Sequence, residues 1–301
     1  MPSLRDIRRR IRSVKNTGQL TKAFQLVAAS RMRRAQMRVM ESRPYADAIR
    51  DVLGNLGTLT GPDRDALQEV RPVQSVGIVI VTPDRGLCGS LPGNLNRAAF
   101  RLASEQQAPV KFITVGRKGR DFAARARQEI IADNSGYGDY PGIDVAESVG
   151  AVVTQAFKNK EVDAVYLVYA KLVSMMRQEP TVVQLLPVKD KEPDAQAPAT
   201  TAAAPAPAEE HKAAEAPYEF EPSPSEVLSQ LLPRYIDVQV YQAILETKAS
   251  EQSARMVAMQ NATDNANELA DEYTLSYNKI RQANITREIA EITGGAVALS
   301  G

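Results

Sequence analysis

From Ala249 to Asn284 the chain steps by three and four residues without a miss, through Gln252, Met256, Met259, Thr263, Ala266, Ala270, Tyr273, Tyr277 and Ile280. That register runs for five heptads (284 − 249 = 35 residues). A 3.5-residue repeat sustained that long keeps one seam turned toward a partner helix, so this stretch must form a coiled coil rather than the surface helix of a globule. The seam residues are small or polar where a free dimer would use Leu and Ile, so the partner must approach closely. A helix over about 225–292 would be roughly 100 Å long, with Pro233 either kinking it or marking its start.

The partner is found at the other end of the chain. Residues 1 to about 57 carry no proline between Pro2 and Pro44 and are rich in helix formers. Leu4, Ile7, Ile11 and Val14 begin a seam. Gly18 reads as a weak point costing on the order of 1 kcal/mol against Ala. Beyond it the apolar stripe resumes one position out, through Leu20, Phe24 and Val27, then Ala28, Met32, Ala35 and Val39, which predicts one helix with a wandering stripe. Residues 1–43 hold twelve Lys/Arg and two acids, a charge of +10, whereas 223–301 hold six Lys/Arg and ten acids, a charge of −4. Opposite charge and matching seams predict an antiparallel pair. The N-terminal helix, at roughly 80 Å, is the shorter. Depending on register, the segment 284–299, with Ile285, Ile289, Ile292, Ala296, Val297 and Leu299, should therefore project partly uncovered, which a soluble monomer avoids.

Residues 72–188 read differently. The runs 76–82, 110–116, 164–170 and 181–188 are short, β-branched and bounded by turn residues, and helical stretches near 92–106, 117–128 and 143–159 lie between them. Near-continuous apolar strands alternating with helices predict an α/β sheet covered on both faces and at least partly parallel. Residues 189–217 are Ala/Pro-rich and carry no apolar side chain larger than alanine, which reads as a disordered loop or linker. Four units are expected: a coiled-coil helix over 1–57, an α/β domain over 72–188, the insertion at 189–217 and a second coiled-coil helix over 218–301.

Composition closes off several chemistries. The one cysteine, Cys88, permits no disulfide within the chain, and one histidine with no tryptophan leaves no material for a His-based metal site or triad. The TPDRGLCGS segment follows a strand as a phosphate-cradling loop would, but lacks the Walker lysine and the spaced glycines of a dinucleotide fingerprint. It reads as a tight turn, and GRKGR at 116–120 reads as a helix start. The basic N-terminal helix has no aromatic interleaving, since Phe24 is the only ring before Tyr45, which argues against a nucleic-acid arm.

Three segments in order, RRIRSVKNTGQLTKAFQLVAASRMRRAQ, DRGLCG and the long ASEQSARMVAM…NKIRQANITREIAEITGGA, closely resemble the gamma subunits of F-type ATP synthases. The resemblance spans the chain outside 189–217. It implies an antiparallel coiled coil of the terminal helices plus a Rossmann-like α/β domain, acting as a central rotor shaft without a catalytic site, metal or cofactor of its own. The implied partners are three alpha and three beta subunits around the shaft, with the epsilon subunit and the membrane c-ring at its foot, on the cytoplasmic face of the plasma membrane. By position, Arg255 and Gln282 match residues that approach a catch loop of a beta subunit, and both fall off the seam. Lys22, Arg31, Arg33 and Arg34 match basic positions facing acidic loops. Tyr218, Phe220 and Glu221 match the foot near the c-ring and epsilon. Ile285, Ile289, Ile292 and Val297 match the tip that turns in its bearing. Phe24 stands where bacterial members usually have methionine, at a position tied to coupling. The insertion at 189–217 departs from the family and lies elsewhere than the paired-cysteine insertion of chloroplast members.

Overall fold

The computed structural model describes residues 3–57, 65–188, 221 and 223–300, without the side chains of 55–57, 224, 295 and 297–300. The insertion at 189–217, with Tyr218 and Phe220, lies outside them. Two helices dominate: α1 over Leu4–Gly57 and α5 over Pro224–Ser300. At 54 and 77 residues they are about 80 and 115 Å long. Ser3 caps α1, its hydroxyl accepting from the Asp6 amide at 3.2 Å and donating to the Asp6 carboxylate at 2.8 Å. Both helices run through their internal prolines, Pro44 and Pro233.

They pack antiparallel. The hydroxyl groups of Thr21 and Thr263 lie 2.7 Å apart, Gln25 Nε2 donates to Gln260 Oε1 at 3.3 Å, and Arg8 donates to the Tyr277 hydroxyl at 2.5 Å. Each of these pairs sums to 284 or 285, so one register holds along the pair. The α5 seam lies where its heptad placed it, buried or half-buried from Gln252 to Asn284.

The α1 seam corrects the sequence reading. It does not wander. Residues 4, 7, 11, 14, 18, 21, 25, 28, 32, 35, 39, 42, 46 and 49 are all buried or half-buried, an unbroken heptad in which Gly18, Thr21 and Gln25 occupy seam positions. Leu20, Phe24 and Val27 are 60, 48 and 48% exposed. Apolarity misled because α5 opposes this stretch with small and polar residues of its own. A β-carbon on Gly18 would lie 3.4 Å from the Ala266 β-carbon, so the two helices are closely apposed at Gly18.

The foot is an α/β layer. Strands β1 (Val76–Val81), β2 (Val110–Val115), β3 (Glu129–Asn134), β4 (Ala164–Leu172) and β5 (Gln178–Leu186) form one sheet in the order β3-β2-β1-β4-β5. The first four are parallel and β5 is antiparallel to β4. Helices α2 (Leu91–Glu105), α3 (Arg117–Arg125) and α4 (Ile143–Lys158) connect the parallel strands. Strand β3 escaped the sequence reading because EIIADN holds only two large apolar residues and lies on an edge, where burial demands less of it. The main core joins Val79, Val81, Ile113 and Val115 of the sheet, Val149, Val153 and Phe157 of α4, and Leu228, Leu232, Ile236 and Ile244 of α5. The foot is thus built onto the lower end of α5.

Candidate functional site: joint, shaft and tip

At the joint with the foot, α5 is buried on every side. All residues from Thr247 to Ala254 are buried, among them Lys248, Glu251 and Gln252. A run as polar as TKASEQS predicts a solvated helix face. It is covered because the carboxyl ends of the strands close around it. Thr247 accepts from the Ala170 amide at 3.1 Å and Ser250 donates to the Ala170 carbonyl at 3.1 Å, both on β4. Ser253 donates to the Met175 carbonyl in the β4–β5 turn at 2.7 Å. Small side chains at Ala249, Ser250, Ser253 and Ala254 permit this approach, and they were the available sequence signal.

The buried charges form one network. Glu251 accepts from Lys248 at 3.1 Å and from Arg255 at 2.7 Å, and Arg255 also donates to the Gly86 carbonyl at 3.1 Å. The Lys248 ammonium lies 4.7 Å over the Tyr137 ring. Buried charge persists only when paired and hydrogen-bonded, a condition Glu251 meets for both cations. Burial, followed by the nearby Glu251 charge, pushes the Cys88 thiol up to about 11. It packs with Leu91, Leu95, Ala170 and Ala254, so at neutral pH it is a core thiol and not a nucleophile.

In parallel open sheets a ligand sits beyond the carboxyl ends of the strands where the strand order reverses, here between β1 and β4. That crevice is filled by α5 itself. The nearby helix start is satisfied from within: Arg117 N donates to Asp84 at 3.0 Å, Lys118 N to the Pro83 carbonyl at 3.2 Å and Gly119 N to the Thr82 hydroxyl at 2.8 Å. Asp84 supplies the negative charge that a phosphate would bring. Gly116 holds φ at +100°, with the Thr82 carbonyl oxygen 2.0 Å from any added β-carbon, so only glycine closes this turn. DRGLCG is likewise a tight turn, with Leu87 and Gly89 both left-handed. Among the described residues no cluster of His, Cys, Asp or Glu could hold a metal ion.

Arg255 therefore does not face outward as its off-seam position suggested. Its side chain is 13% exposed and turned into the foot. It lies 27 residues from Gln282 on the same helix, about 40 Å along the axis. Gln282 is exposed. Arg31 is half-buried and pairs with Asp139 at 2.8 Å, while Arg34, with its guanidinium 5.9 Å from the Tyr140 ring, is exposed, as are Lys22 and Arg33. Glu221 is exposed at the edge of the described foot.

Higher up, Leu20, Phe24 and Val27 form an outward apolar stripe. At the top, α1 begins at Leu4, level with Ile280, and α5 continues alone from there. Ile285, Ile289 and Ile292 are 47, 56 and 72% exposed. Val297 lies in the helix, with its side chain outside the described residues.

The family model for ATP synthase matches residues 3–299. The ATP synthase gamma chain of Roseiflexus castenholzii is 48% identical over 100% of this chain and 99% of its own, and that of Chloroflexus aurantiacus is 44% identical over 100% of both. The chain belongs to the ATP synthase gamma chain family. Among solved structures, a chain of the Euglena gracilis mitochondrial ATP synthase is similar to this gamma-family chain at a TM-score of 0.66 and 20% identity, over 98% of this chain and 94% of that one. A chain of the Tetrahymena thermophila mitochondrial enzyme, from its central stalk and c-ring, aligns at 0.60 and 23%, over 81% of this chain and 99% of that one. These two carry the fold: a coiled coil of the terminal helices on a Rossmann-like foot.

Proposed function

We infer that this chain is the central-stalk rotor subunit of an F-type ATP synthase, turning inside three alpha and three beta subunits and passing torque from a membrane c-ring to their catalytic sites. The observation that carries this reading is the bare tip of α5. A helix with Ile285, Ile289 and Ile292 in water is stable as a part of something larger, and an alpha–beta ring supplies the missing enclosure. The shaft is asymmetric, with a basic α1 beside an acidic α5. Each orientation then has a different affinity for the conformations of each beta subunit, and rotation shifts which conformation is populated.

The shaft surface suits sliding. Lys22 and Arg33 offer screened, exposed charge, worth about 0–1 kcal/mol per pair, while Gln282 and the Leu20–Phe24–Val27 stripe offer contacts for the ring. Arg255 belongs to the joint, and the same holds for Arg31. Glu221, together with Tyr218 and Phe220, is assigned to the epsilon and c-ring side of the foot. No described helix is long and apolar enough to cross a membrane; in the rotor reading, attachment to the cytoplasmic face of the membrane runs through the complex. With its switch-point crevice filled by α5, the chain itself is assigned no catalysis.

The test is co-expression with the alpha and beta subunits. One copy of this chain should be recovered with three of each, and ATP hydrolysis should require the beta subunits. ATP turnover by the isolated chain, or failure to recover a stoichiometric complex, would falsify the assignment.

A further inference from the structure

The loop that follows β3 crosses from the edge of the sheet to α1. Its base is fixed on the foot. Gly136 N donates to both Asp84 oxygens at 3.2 Å, and the Tyr137 hydroxyl donates to the Thr82 carbonyl at 3.1 Å. Gly136 and Gly138, at φ of +84° and +75°, flank Tyr137 in the left-handed region that favours glycine. From this base two side chains reach the other helix. Asp139 Oδ2 accepts from Arg31 at 2.8 Å, with Arg85 3.9 Å from the same oxygen. The Tyr140 ring lies 4.7 Å from the Arg38 guanidinium and 5.9 Å from that of Arg34.

The height of this contact matters. With paired seam positions summing to 284, Arg31 of α1 is level with Ser253 of α5, two residues from Arg255. The loop after β3 thus holds α1 at the height where the turn after β1 and the β4–β5 turn hold α5. Gly86, Met175 and Asp139 are all borne by one sheet. Neighbouring helix axes lie about 8–10 Å apart. A pair driven through one helix alone must transmit twist across its seam, which here is small and polar at Gly18, Thr21 and Gln25. A pair held at two off-axis points turns with what holds it.

We propose that residues 135–141 are a torsional brace, in which Asp139 and Tyr140 act as positioning residues that lock α1 to the foot so that both helices turn with it. This rests on the rotor reading above and adds to it a path by which torque enters α1, beside the apolar contacts of Ala35 and Val39 with Leu172. Neither residue touches the catalytic ring in this scheme, so its loss uncouples motion without blocking chemistry.

The test uses the alpha–beta–gamma complex and the membrane-bound holoenzyme carrying Asp139→Ala with Tyr140→Ala. Removing the Asp139 ion pairs and the two Tyr140 cation–π contacts should leave hydrolysis within about twofold of wild type, while proton pumping per ATP falls about threefold and the angular spread of a probe on the foot, at a catalytic dwell, rises about twofold. Asp139→Arg alone should do the same by repelling Arg31, and Asp139→Arg with Arg31→Asp should restore both readouts. Wild-type pumping and angular spread in the double alanine variant overturn the brace. If that variant fails to assemble, the charge-swapped pair decides: restored coupling supports the brace, and unrestored coupling overturns it. Failure of the wild-type chain to assemble or rotate strikes the rotor reading instead, so the two failures are distinguishable.

Discussion

The two ends of α5 invert the usual rule of burial. Near its lower third the helix hides Thr247, Lys248, Ser250, Glu251, Gln252 and Ser253, and at its top it shows Ile285, Ile289 and Ile292 to solvent. Soluble chains ordinarily do the reverse. The difference is in where the covering surface comes from. At the joint it is this chain's own sheet, which brings a hydrogen-bond or ionic partner for most of the polar groups it covers. At the tip no part of the described chain is available, and the apolar surface is left for another molecule. A polar joint has geometric specificity that a greasy one lacks, since each partner must sit at one distance and angle. The apolar tip has the opposite virtue, because contact between hydrocarbons carries no preferred azimuth and so does not oppose turning.

The largest expected effect breaks the joint. Glu251→Ala leaves Lys248 and Arg255 facing each other without their carboxylate, and loss of one member of a buried network costs about 3–5 kcal/mol. Thermal unfolding of the purified chain should show a clearly lowered midpoint, with Glu251→Gln milder. An unchanged midpoint in both would mean the network is ornamental. The tip should respond in the opposite sense. Ile289→Ser with Ile292→Ser should leave the stability of the isolated chain within about 0.5 kcal/mol, as expected for exposed positions. The same change should weaken assembly with alpha and beta by about 1–3 kcal/mol per lost apolar contact, read from the concentration at which the complex forms. Equal effects on folding and assembly would erase the contrast between the two ends.

Between them, the seam gives a finer test. Gly18→Ala meets the Ala266 β-carbon at 3.4 Å, an ordinary contact, and gains up to about 1 kcal/mol of helix propensity. Gly18→Leu should instead cost about 1–3 kcal/mol through overpacking. Chemical denaturation of both variants would check the sign change. If Leu were tolerated as well as Ala, the helices are not tightly apposed there.

The smallest effect concerns pH. Burial first, then the neighbouring Glu147 charge, raises the Asp237 carboxyl to about 6, against a partial opposing pull from Arg234. A carboxyl raised on folding binds its proton more tightly in the native state. Its contribution is fully present below about pH 4 and is lost as pH rises through about 6. Asp237→Asn should flatten that window and stabilise the chain at pH 7.5 by about 1 kcal/mol, after allowance for solvent screening. A pH–stability profile superimposable on that of the unmodified chain would mean that Asp237 is not the group titrating in that window.

Periodicity, length and charge together were enough to determine the antiparallel pair of terminal helices, the α5 seam and the bare tip. Heptads are local, and length and charge difference need no knowledge of the fold. The parallel sheet was also legible, because strands buried on both faces must be continuously apolar, though edge strand β3 was not. Three things were decided only in the tertiary structure. Gly18, Thr21 and Gln25 sit in the α1 seam because α5 opposes them with equally small or polar residues, a property of the pair and not of either helix. Arg255 and Arg31 are engaged within the chain because Glu251, Gly86 and Asp139, from 4 to 169 residues away in sequence, arrive beside them. The polar run around Lys248 is core because the foot closes on it. Sequence spacing specifies which face of a helix a side chain occupies, but what fills the space opposite that face is set by the rest of the fold.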